Sequence, residues 1–130
     1  MTCPADSSRF ESKGGVWRFL SDHQHNTYQP FINDYEKIRA AEGRNQKPSA
    51  WYQSLPHVKD DADWKIRATS YTALLKQVIR PMPEKPLKVV DLGAGNCWLS
   101  HRLREHGHRV VAVDLLVNDW DGLGAHHHYN

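Results

Sequence analysis

Leu87-Lys88-Val89-Val90-Asp91-Leu92-Gly93-Ala94-Gly95-Asn96-Cys97-Trp98-Leu99-Ser100 decides how the chain is read. A short apolar run ends in an acid, breaks on two glycines and passes directly into a helical pattern: strand, tight turn, helix. Gly93 and Gly95 allow backbone conformations that a Cβ forbids, and a close approach to a ligand. The helix behind them turns its free N–H groups and positive dipole end toward the same spot. A second apolar run, Arg109-Val110-Val111-Ala112-Val113-Asp114, again ends in an acid. Asp114 follows Gly95 by about 20 residues, the spacing at which an acid at the tip of the next strand accepts from ribose hydroxyls in a nucleotide-type pocket. Strand, helix and parallel strand in so short a span fit one right-handed βαβ unit. The pattern predicts a cofactor site.

Working outward, residues 1–20 predict a hairpin: segments 9–12 and 16–20 flank Lys13-Gly14-Gly15. A two-stranded hairpin is marginal in water and has to dock on something. Residues 21–26 read as polar linker, followed by a helix over 28–41 in which Tyr28, Phe31, Tyr35 and Ile38 form a core stripe. Residues 44–59 read as a loop that carries an exposed aromatic pair, Trp51-Tyr52. Asp60, Asp61 and Asp63 then supply cap and first-turn acids for a second helix, with Trp64, Ala68, Tyr71, Leu75 and Val78 on one face and a stop at Arg80-Pro81. Pro81, Pro83 and Pro86 make a stiff connector. The organisation is therefore a hairpin leader (1–20), a helical region and linker (21–86), and the start of a cofactor domain (87–130).

Composition narrows the partners. Lys+Arg number 17 against 15 Asp+Glu, leaving a formal +2, too weak a charge to point to nucleic acid. Cys3 and Cys97 have no CxxC partner, so neither a disulfide framework nor a cysteine zinc site is expected. There is no N-terminal apolar segment and no run long enough to span a bilayer, so no membrane contact is expected and the cytoplasm is the expected compartment.

Val90-Asp91-Leu92-Gly93-Ala94-Gly95-Asn96 resembles the first motif of class I S-adenosylmethionine-dependent methyltransferases, and Asp114-Leu115 resembles their acidic second motif. The resemblance, to the type 11 methyltransferase domain, covers residues 64–130. It implies an α/β, Rossmann-like doubly wound parallel sheet, with S-adenosyl-L-methionine as cofactor and transfer of its methyl group to an acceptor that these motifs do not specify. It assigns the methionine part of the cofactor to Asp91, Gly93, Ala94, Gly95 and Asn96, and the ribose to Asp114 with Leu115 beside it. The family commonly has a third glycine where Cys97 stands. The Cys3-Pro4 leader resembles a degenerate zinc ribbon lacking the other ligands, so no metal is expected there.

The family sheet has seven strands, of which this chain supplies the first two. On that basis the isolated chain is expected to bind the cofactor weakly or not at all, and to self-associate through an open sheet edge. Two other readings use the same residues: a non-catalytic remnant or binding module, and a nicotinamide-nucleotide module. The nicotinamide pattern GxGxxG requires glycine at 98, where Trp98 stands. Cys97 is read as a packing residue rather than a nucleophile, since no base is placed beside it. His126, His127 and His128 are read as a solvated or functionally unspecified loop, because adjacent histidines cannot all face one ion. Trp51 and Tyr52 are read as loop anchors or substrate contacts on a lid.

Overall fold

The computed structural model describes residues 1–129 and shows a mixed α/β chain with a small parallel two-stranded sheet. Strands β1 (Glu11–Lys13) and β2 (Val16–Arg18) form the antiparallel hairpin around Gly14-Gly15. Helices α1 (Asp22–Ala41), α2 (Ser49–Ser54) and α3 (Ala62–Leu74) follow, α3 running on through a π turn over Leu75–Ile79. Then come β3 (Lys88–Leu92), α4 (Trp98–Glu105), β4 (Arg109–Val113) and a closing 3-10 segment, Leu123–Tyr129. Three helices rather than two thus precede the parallel unit. No helix among the described residues is long and apolar enough to cross a membrane.

Strands β3 and β4 pair in parallel, from Lys88 opposite Arg109 to Leu92 opposite Val113. Their period of two turns Val89, Asp91, Val110 and Ala112 toward α4, where the Ser100 hydroxyl donates to Asp91 Oδ2 at 2.8 Å. The opposite face, Val90, Leu92, Val111 and Val113, is exposed, Leu92 to 77%.

Three expectations are corrected. Helix α1 begins at Asp22, because Ser21 and Gln24 form a reciprocal capping box in what reads as polar linker. Its stripe is not core: Phe31 is 58% and Ile38 57% exposed. The helix is held instead by its polar side, through Arg39 to Asp121 and Glu36 to Asn118, so the aromatic side looks onto open space. Within the expected loop, α2 forms behind Pro48, and Tyr52 is wholly buried. Six residues are too few to show a hydrophobic period.

Tyr52, Leu55, Trp64 and Ala125 form the main core, with Trp51, Val58, Trp98 and Tyr129 packed around it. Fully burying side chains of this size is worth about 1.5–3 kcal/mol each. A smaller cluster of Ala94, Cys97 and Leu123, joined by Val16, Ala112 and Tyr129, lies under the glycine turn. The 3-10 segment belongs to both clusters and so locks the parallel unit to α2 and α3.

Candidate functional site

Gly93 and Gly95 both take positive φ, +72° and +51°, as the turn reading requires. The Gly93 and Ala94 amides donate to the Val113 carbonyl at 2.9 and 3.1 Å, and the Gly95 amide donates to Asp114 Oδ2 at 2.8 Å. The second Asp114 oxygen accepts from the Leu116 amide at 2.8 Å. Asp114 is therefore first a clamp between the turn and the end of β4. Each carboxylate oxygen offers about two acceptor sites, so one on each remains for a hydroxyl donor. Asp91 is engaged by Ser100, Leu115 lies exposed beside Asp114, and Asn96 is buried, its carbonyl accepting from the Tyr129 hydroxyl at 3.0 Å.

Cys97 adopts φ +64° at the N-cap of α4. This left-handed conformation is costly for a residue with a Cβ and is one that glycine adopts freely. Burial, followed by the nearby Asp91 and Asp114 charges, pushes its thiol up to about 12. A thiol so placed is no nucleophile at neutral pH. Its Sγ lies 3.9 Å from the Leu123 carbonyl oxygen, inside the small cluster.

The histidine run is not a solvated loop. His128 is buried, its ring stacked on Tyr52 at 3.9 Å and 3°. Its Nδ1 lies 2.9 Å from Ser49 Oγ and its Nε2 3.0 Å from the Asp119 carbonyl oxygen. Burial lowers the pKa of this imidazole. His128 therefore fastens this segment, whereas His126 and His127 bond carbonyls of their own segment, and among the described residues no three His, Cys, Asp or Glu side chains converge as a metal site.

A cleft of about 1160 Å³ opens beside the turn. One wall carries residues 93–98 and Asp114, Leu115 and Leu116; a second carries Trp51, Trp64 and Arg67; a third carries Phe31 and Tyr35 of α1 with Trp17 and Phe19 of the hairpin. The aromatic wall is continuous: the Trp64 ring meets Trp51 edge-on at 5.6 Å and Trp98 at 5.8 Å. Ion pairs of Arg39 with Asp121 (2.6 Å) and Arg44 with Asp63 (2.8 Å) brace it. All the cofactor residues expected from the sequence except Asp91 border this cleft or, for Asn96, also underpin it through Tyr129. Trp51 borders it as expected of a lid contact, whereas Tyr52 is sealed in the core. Sequence reasoning passes over Arg67; its one signal is its place one helical turn after Trp64.

Comparison with known proteins adds no relative: no protein-family model, no curated protein and no solved structure matches the chain.

Proposed function

We propose that this chain carries the cofactor half of a Rossmann-like, S-adenosylmethionine-dependent methyltransferase. The observation that supports it most is the Gly95–Asp114 bond, which brings the second-strand acid against the glycine turn at the edge of a cleft. The residues present fit the cofactor in kind. Asp114 retains acceptor sites for ribose hydroxyls, the backbone of residues 93–96 borders the space for the methionine part, and Leu115 offers an apolar surface next to Asp114. The cleft is ample on the scale of pockets that enclose small ligands, about 300–1,000 Å³.

When bound, the cofactor supplies an electrophilic methyl group on a sulfonium. The chain's own contribution would be to orient: Asp114 would hold the ribose end and the turn the other end, beside the tryptophan wall of Trp51, Trp64 and Trp98. Holding reactants in line is itself a large part of catalysis for a direct displacement. The exposed face of the two-stranded sheet supports self-association as part of the same reading.

The test is an amide chemical-shift titration of the chain with S-adenosylmethionine, S-adenosylhomocysteine and NAD. Shifts confined to residues 93–96 and 114–116 with the first two, and absent with NAD, are expected even if affinity is weak. Silence at these amides, or an equal response to NAD, would sink the reading.

A further inference from the structure

Of the cations of the cleft, Arg67 and Lys47 make no ion pair among the described residues, and of these two Arg67 lies over the Trp64 ring. Arg39 is committed to Asp121 and Glu42, and Arg44 to Asp63 and Glu42. Among the described residues no carboxylate lies within ion-pair distance of Arg67. Its guanidinium carbon lies 4.7 Å from the centre of the Trp64 ring. A guanidinium at this distance is held by the ring's π face, which does not use up its N–H donors, the fork that grips a carboxylate. Burial, and after it the positive charges of Arg44 and Arg39, work against the charged form more than Asp121 and Asp63 favour it. The cleft that Arg67 borders also carries Trp51, Trp64, Phe31 and Tyr35 and the glycine turn, with Arg39, Arg44, Asp63 and Asp121 paired among themselves.

We propose that Arg67 and Trp64 form the acceptor site of this cleft, and that the acceptor is a small aromatic carboxylate. The carboxylate takes the Arg67 fork, and the ring slides against the tryptophan wall, edge-on or offset as aromatic pairs prefer. The word acceptor rests on the methyltransferase reading; the anion site does not. A neutral aromatic would leave the cation uncompensated, and a small aliphatic acid would leave the wall wet. Selectivity therefore needs both features in one molecule.

The experiment is ligand-observed NMR, with tryptophan fluorescence, on the full chain using benzoate, benzamide and acetate. Benzoate is expected to bind saturably, and benzamide and acetate at least about tenfold more weakly, the scale of one charge-assisted hydrogen-bonded contact. Arg67→Gln is expected to bring benzoate down to the benzamide level, and Arg67→Lys to recover part of the loss. Unchanged melting by circular dichroism shows that the fold is kept. If the glutamine variant does not fold, the lysine variant, expected to be weaker than wild type because it lacks the planar fork, carries the test. Equal binding of benzoate and benzamide, or an Arg67 variant that binds benzoate as wild type does, overturns the proposal. So does a loss confined to the cofactor: Arg67→Gln weakening S-adenosylmethionine while sparing its decarboxylated analogue and benzoate. Benzoate bound by a chain that ignores S-adenosylmethionine supports the anion site and counts against the methyltransferase reading alone.

Discussion

The Gly95 amide donates to Asp114 Oδ2 at 2.8 Å across 19 positions of the chain. With the Leu116 amide on Oδ1, it makes one carboxylate the joint between the β3–α4 turn and the segment that leaves β4. Asparagine at this position keeps the shape and has a single acceptor oxygen, so one of the two amides must face an NH2 donor. Asp114→Asn is therefore expected to cost about 1–3 kcal/mol, read by urea unfolding. It should also abolish the S-adenosylmethionine shifts at residues 93–96. A variant as stable as wild type would show that the clamp contributes nothing to the fold.

Cys97 answers to two opposing terms. Its positive φ costs a non-glycine residue about 1–2 kcal/mol, while its buried side chain packs on Leu123 and Ala94. Cys97→Gly relieves the first and forfeits the second, so stability should change by less than about 1 kcal/mol. Cys97→Val adds branching at a left-handed position and should be clearly destabilising. The thiol itself, pushed up to about 12, should resist iodoacetamide at pH 8 in the folded protein. Half-exposed Cys3 should react first. Mass spectrometry of the alkylated chain before and after unfolding checks both statements.

His128 and His101 both have imidazole pKa values lowered by burial. An imidazole depressed in the folded state binds fewer protons than the unfolded chain does, so stability rises with pH. Both histidines should leave stability unaffected above the ordinary imidazole value of about 6.5. As pH falls through that value the melting temperature should begin to drop, the loss being complete below the lowered native pKa values. His128→Asn should flatten part of this decline, because the ring stacked on Tyr52 is the group that must charge. A melting temperature flat from pH 7 to pH 5 would contradict the assignment.

Legibility followed the range of the signals. The turn, both parallel strands and α4 were readable because every cue there is local: alternation, glycine, strand-end acid. The Asp61 cap of α3, whose side chain accepts from the Trp64 amide at 3.1 Å, was readable for the same reason. The stripe of α1 misled because periodicity reports that a face is apolar, not that anything covers it. Tyr52 and His128, 76 positions apart by their numbers, become partners only through tertiary packing. The engagement of Asp114 by two backbone amides was equally invisible: spacing placed the acid near the turn and could not say that the turn would bind it.

The exposed sheet face sets the last expectation. Val90, Leu92, Val111 and Val113 form a contiguous apolar surface beside unpaired strand edges, with no charged side chain among the four. Soluble chains usually blunt such a surface with lysine, proline or a covering helix. Left open, it should draw copies of the chain together, so sedimentation velocity should show weight-average mass rising with concentration. Leu92→Lys combined with Val111→Lys places a charge on each strand of that face without touching the α4 side, where Val89 and Ala112 pack. The double variant should stay monomeric at concentrations where wild type associates, with its circular dichroism unchanged. Because Val111 and Val113 also border the cleft, the amide shifts at residues 93–96 are read on Leu92→Lys alone, which should keep them. A wild-type chain that remains monomeric throughout, or a double variant that associates equally, would remove the sheet face as the cause.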